Sequence, residues 1–200
     1  MTILLFFIGI WYASLFFQTF FQHRYAAHGA FQMNKFWERW FFILTYLAQG
    51  SSYMSPRAYA IMHRMHHAYT DTEKDPHSPN FSSNVFSMMW RTCNIYEGIY
   101  KHTIEVEDRL VILTMGAFHG AIINWFAHKF GYINFRMKNS SHNLFSIDVL
   151  MLGESYHNNH HMFPSRINFG RRWHELDPVF ACIRFLNWLH IIRIVKEVKV

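Results

Sequence analysis

Fifteen histidines stand among 200 residues, and eight of them fall in three tight groups. His157-Asn158-Asn159-His160-His161 and His63-Arg64-Met65-His66-His67 share the spacing H-x-x-H-H. On a helix, positions i, i+3 and i+4 lie on one face, so each triplet is expected to converge on one point. Neutral imidazole is the commonest metal ligand. A lone histidine is more often a surface or core residue, but two copies of one spacing point to metal. The third group, His23-Arg24-Tyr25-Ala26-Ala27-His28, has the spacing H-x-x-x-x-H. Five residues are about 140° apart around an α-helix, which predicts a helix end or turn there.

Zinc sites take three or four ligands, whereas these groups offer eight imidazoles. That many nitrogens imply two metals, and iron fits a site that activates O2. Soluble di-iron bundles use carboxylates arranged around two Glu-x-x-His motifs. Only Glu154-Ser155-Tyr156-His157 matches that motif here, so the carboxylate design fails. Glu154 and Asp75 read better as partners that orient ligating imidazoles, against the plainer alternative of solvated carboxylates.

The elements that must position these groups are apolar. The chain is 51% hydrophobic and 19% aromatic with 16% charged residues, below the roughly 25% charge of ordinary soluble domains. Mean hydropathy is only −0.04 because the histidines and a polar middle offset the apolar runs. Thr2 to Phe21 carries no charge and is about the 20 residues a bilayer span requires. It lacks the basic start and small-residue cleavage site of a signal peptide. Phe36 to Gln49 is apolar with Glu38 and Arg39 near its start, and reads as an interfacial or site-packing helix. Pro56 precedes the helix expected to carry His63, and Thr70 to Pro79 reads as a loop. Leu110 to Ala127 is a second apolar run, and Val179 to Ile194 reads as an amphipathic helix with a basic tail. The net charge of +6 flanks the apolar runs and forms no interleaved nucleic-acid patch, so nucleic acid is not expected as a partner. Cys93 and Cys182 are too few for a disulfide framework. One domain spanning residues 1–200 is expected: all-α, helical and integral to a membrane.

Three further strings carry a resemblance. HRMHHAYTDTEKDPHSP, GESYHNNHHMFP and HRYAAH, with Asn124-Trp125-Phe126-Ala127-His128, resemble the histidine boxes and flanking text of the membrane fatty acid desaturases, specifically the acyl-CoA Δ9-type branch. The resemblance covers about His23 to Trp173. It implies His23, His28, His63, His66, His67, His128, His157, His160 and His161 as ligands of two iron ions, with Asn124 reaching metal through water. It implies O2-dependent desaturation of an acyl-CoA or acyl-lipid chain, with electrons from cytochrome b5 or a ferredoxin. No H-P-G-G stretch marks a fused haem donor. The metal site is expected to face the cytosol, at a bacterial inner membrane or the endoplasmic reticulum.

One departure bears on topology. A single span-length run, Leu110 to Ala127, separates His67 from His128. One crossing there would set the second and third boxes on opposite sides of a bilayer, so an even number is required. The abrupt junction of EVEDR with LVILTMG favours a lost helix. Alternatives to the desaturase are a related membrane hydroxylase and an inactive metal-binding remnant. His77, His102, His142, His174 and His190 lack cluster spacing and are expected at the surface or hydrogen-bonded; His119 reads as a satisfied histidine inside an apolar run.

Overall fold

A computed structural model describes residues 1–101 and 115–195. Seven α-helices, two π-helical segments and one two-stranded sheet are present among them. Helix α1, Thr2–Phe17, is apolar on every side, as expected of a helix buried in protein or lipid rather than one facing water. It continues without a break into a π-helical segment, Gln18–Ala27. The joined helix, Thr2–Ala27, is the one described helix long and apolar enough to cross a membrane. Its outer turns expose Ile3, Leu4, Leu5, Phe6 and Phe7, a contiguous apolar surface that water does not favour.

Strand β1, Phe31–Met33, and helix α2, Lys35–Gln49, follow. Asn34 caps α2 by accepting from the Trp37 amide at 3.0 Å, satisfying one free N–H of the first turn. Phe41, Thr45 and Gln49 form its buried stripe, while Phe36, Trp40, Ile43 and Leu47 stay exposed. Phe20 sits at the centre of the largest core cluster, with ring centroids 4.9 Å from Phe31 and 4.8 Å from Phe41. Helix α3, Pro56–Tyr69, starts on a proline at its first turn, where the missing N–H costs nothing. It lies against the π segment.

Helix α4 is Val85–Lys101, and α5, Met115–Ala121, passes into a second π segment, Ile122–Phe126. The first part of the apolar run from Leu110 lies outside the described residues, as does His102. Helix α6, His157–Met162, has only six residues and so depends on its surroundings for stability. Helix α7, Pro178–Trp188, is capped by Asp177, which accepts from the Phe180 amide at 2.9 Å.

The helix expected from Val179 to Ile194 stops short. His190 adopts a positive φ of 59°, which reverses the chain. The segment Ile192–Ile194, with β-branched isoleucines at both ends, then becomes strand β2, antiparallel to β1 with Phe31 opposite Ile194 and Met33 opposite Ile192. Backbone pairing with a strand far away in sequence overrides the helical periodicity.

Candidate metal centre

The first box lies at the expected helix end, with His28 capping a helix that stops at Ala27, but its geometry is not α-helical. Its helix widens to π geometry, and the His28 amide bonds the His23 carbonyl at 3.1 Å, five residues back. An i→i+5 bond stacks residues that an α-helix would hold about 140° apart. The two rings therefore meet, with centroids 5.0 Å apart. The widening of the helix makes the five-residue spacing work.

The second and third boxes also behave differently from a single converging face. Around an α-helix, i+4 lies about 40° past i and i+3 about 60° before it. On α3, His63 and His67 turn one way and His66 the other; on α6, His157 and His161 pair while His160 points away. Two groups result. His23, His28, His63, His67 and His160 form one, and His66, His128, His157 and His161 the other, each with ligand atoms within 4.8 Å of one another. Each H-x-x-H-H helix contributes two imidazoles to one group and one to the other. All three boxes and His128 meet at one place, so the segment before His128 does not separate them.

The atoms that face one another are Nε2 in every case. In the first group His23–His160 is 3.1 Å, His28–His63 2.9 Å, His63–His67 3.0 Å and His67–His160 2.9 Å. In the second, His66–His161, His161–His157 and His157–His128 are each 3.0 Å. Three of the outward Nδ1 atoms have acceptors, which fixes the N–H there and leaves the Nε2 lone pair facing inward. His23 Nδ1 donates to Glu154 at 2.7 Å, His66 Nδ1 to Asp75 at 2.8 Å, and His128 Nδ1 to Ser140 Oγ at 3.1 Å. Lone pairs converging at 3 Å repel unless a cation lies between them. Nitrogens bound about 2.1 Å from one ion and about 90° apart would be separated by about 3.0 Å. The donor set thus fits one cation per group, with borderline nitrogen ligands suited to iron among other transition metals.

Burial, and then repulsion between neighbouring rings, pull His63, His66, His157, His160 and His161 well below the ordinary imidazole value. The same causes lower His28, and bring His67 down to about 3. Neutral, metal-ready imidazole is therefore the resting form at neutral pH.

Glu154 accepts from Thr19 Oγ1 as well as from His23, and Asp75 also accepts from the amides of Asp71 and His77. Both carboxylates sit where partners orienting imidazoles would. Asn124 is half-buried in the second π segment, one turn before His128. His77 is no surface residue: its ring is buried 4.8 Å from that of His66, and its Nδ1 has no hydrogen-bond partner. His119 is buried, with Nδ1 3.2 Å from Gln18 Oε1.

What holds the short helix α6 was not foreseen from spacing. Asn158 Oδ1 accepts from the amides of Asn134 and Phe135, and its Nδ2 donates to the Phe135 and Ser141 carbonyls. Asn159 donates to the Phe169 carbonyl and to Glu175, both at 2.9 Å. Its Oδ1 accepts from Asn134 at 2.8 Å and Asn143 at 3.0 Å. Asp148 ties down the turn before the box, accepting from the amides of Met151, Gly153 and Ser155. The two asparagines between the histidines were the available sequence signal, since buried amides need this many partners.

The sequence model of the fatty acid desaturase family matches residues 1–104, which hold the first two boxes. The chain belongs to the fatty acid desaturase family. Delta-9 acyl-lipid desaturase 1 of Arabidopsis thaliana is 30% identical over 88% of this chain and 68% of its own length. Delta-9 desaturase-like 5 protein of the same plant is 27% identical over 89% of this chain and 71% of its own. The sn-1 stearoyl-lipid 9-desaturase of a Synechocystis strain is 27% identical over 87% of this chain and 65% of its own. Family and relatives make the chain an oxidoreductase of lipid metabolism, with a fatty acyl substrate.

Proposed function

We propose that this desaturase uses two iron ions, one in each histidine group, to introduce a Δ9-type double bond into an acyl chain carried on CoA or on a lipid. The observation that carries the reading is the convergence of nine Nε2 atoms into two cation-sized clusters. His23, His28, His63, His67 and His160 are assigned to one ion, and His66, His128, His157 and His161 to the other, with Asn124 acting through water. Glu154 and Asp75 keep Nδ1–H of His23 and His66 pointed outward, so the Nε2 lone pairs stay available. Iron held there supplies O2 activation. The overall reaction removes two hydrogens from the chain and reduces O2 to two waters, taking two electrons and two protons from outside. Cytochrome b5 or a ferredoxin is the expected electron source. The names of the plant and cyanobacterial relatives support the Δ9 position. Thr2–Ala27 supports an integral membrane location; the site is assigned to the cytosolic side of a bacterial inner membrane or the endoplasmic reticulum.

Metal analysis of protein purified in detergent tests the site, and product analysis in an expressing host tests the reaction. About two irons per chain and new monounsaturated fatty acids are expected. Hydroxylated products would replace the desaturase reading with a hydroxylase. Folded protein without iron would mark an inactive remnant. His160→Ala is expected to lose iron and activity together, and full iron content in that variant would remove His160 from the ligand set.

A further inference from the structure

His128 stands alone among the nine in coming from outside the three boxes, and its Nδ1 meets a hydroxyl, not a carboxylate. That hydroxyl is one step from a carboxylate. Ser140 Oγ donates to Asp71 Oδ1 at 2.9 Å, and the Ser140 amide donates to Asp71 Oδ2. Asp71 Oδ1 lies 3.7 Å from His128 Nδ1, and the His128 side chain is fully enclosed. Asp71 is also held in place from behind. Its amide donates to Asp75 Oδ2 at 3.0 Å, and Asn80 Nδ2 donates to its Oδ1 at 3.0 Å. Its φ of 62° is left-handed, a conformation that non-glycine residues seldom adopt, though aspartate tolerates it better than most. Strain of this kind persists where surrounding contacts over-determine it, and it gathers at functional sites.

We infer that Asp71 and Ser140 form a relay that positions His128, so that Asp71 does for His128 what Asp75 does directly for His66. The loop after α3 then governs two of the four imidazoles in the second group, through two carboxylates joined by a backbone hydrogen bond. The serine is required because the carboxylate stands too far from Nδ1 to accept its proton directly. The hydroxyl accepts a hydrogen bond from the ring and donates one to Asp71, which fixes the tautomer with Nε2 free toward His157. Asp71 and Ser140 are positioning residues. The inference rests on the two-ion reading and assigns its effect to one ion only.

Anaerobic Fe(II) titration of metal-free protein in detergent tests it, with 57Fe Mössbauer spectra of the loaded forms. Ser140→Ala cuts the relay yet keeps the amide bond to Asp71. Asp71→Asn removes the charge while suiting the left-handed backbone. Each is expected to weaken one of the two binding events by about 10–100-fold, the usual cost of losing a partner of a ligating histidine. The other event keeps its wild-type affinity, and one of the two quadrupole doublets shifts. Ser140→Thr, which retains the hydroxyl, is expected to restore both. Wild-type affinity at both sites in Ser140→Ala and Asp71→Asn overturns the relay alone, as does equal weakening of both. Folded wild-type protein that takes up no Fe(II) overturns the two-ion reading and the relay with it.

Discussion

Asn159→Ala removes the side chain that anchors the third box. Four hydrogen bonds go: to the Phe169 carbonyl, to the Glu175 carboxylate, and from the amides of Asn134 and Asn143. Three are neutral, at about 1 kcal/mol each, and the bond to the carboxylate adds about 1.5–3 kcal/mol. The expected loss is about 5 kcal/mol, a large share of the roughly 5–15 kcal/mol that holds a typical domain together. At this chain length that corresponds to a melting temperature lower by about 10–20 °C. Helix α6 supplies His157 and His161 to one group and His160 to the other, so on the two-ion reading both ions should be lost together. Asn159→Asp leaves no cavity but cannot donate, and it sets a second carboxylate against Glu175; it should be at least as damaging as alanine. The assay is thermal unfolding of metal-free protein in detergent, followed by metal analysis after reconstitution. A melting temperature within 2 °C of wild type, or full iron in Asn159→Ala, would refute the claim that this amide holds the box.

Two further outcomes follow from the same geometry. The metal-free protein should lose stability as pH falls below about 6.5, where an unfolded histidine begins to take a proton that its buried counterpart refuses. Folded values are depressed, to about 3 for His67 and well down for His63 and His66, so the unfolded state binds more protons throughout that window. Each such histidine costs about 1.4 kcal/mol at pH 5.5, so three remove about 4 kcal/mol, a large part of the roughly 5–15 kcal/mol that holds a typical domain together; melts at pH 7.5 and 5.5 that coincide would contradict this. Gly153→Ala should fold poorly: its φ is 98°, and an added Cβ would lie 2.8 Å from Asp177 Cγ, which is itself pinned by Arg24 at 2.9 Å. Expression yield and melting temperature against wild type check it, and a variant as stable as wild type would show that this turn gives way easily.

Much of the site could be read from spacing, because metal chemistry constrains residue type more tightly than packing does. All nine histidines named from the boxes and from His128 enter the two groups, and the two carboxylates chosen beside them do accept from imidazole N–H. What the spacing misled about was direction. Treating i, i+3 and i+4 as one face ignores the roughly 100° between the last two, and that angle sends His66 and His67 to different groups. The π segments were invisible because nothing in QTFFQHRYAA departs from α-helical preference; the widening depends on tertiary contacts with α3 and α2. Strand β2 was missed for a similar reason, since its partner lies 161 residues away at Gln32 opposite Arg193. Asp71 and Ser140 were unreadable because a polar loop offers no periodicity to mark which carboxylate turns inward.

The split of each H-x-x-H-H helix across two groups ties the two sites to each other. A bundle that gave each ion its own helices could lose one ion and keep the second intact. Here a tilt of α3 or α6 moves ligands of both groups at once, whereas His128 and its loop can shift with one group alone. The sites should therefore fail in two distinguishable ways: from two ions to none when a shared helix loosens, and from two to one when the His128 relay is cut. On the two-ion reading, the same arrangement makes the ions part of the fold. Each group crowds imidazole Nε2 atoms about 3 Å apart in a buried space, where neutral rings cannot all find donors for their lone pairs. A cation at 100 times its dissociation constant adds about 2.7 kcal/mol to the folded state, and a pair adds twice that when both sites fill. Metal-free protein should consequently be markedly less stable than loaded protein, and variants that lose both ions should resemble it more closely than variants that lose one.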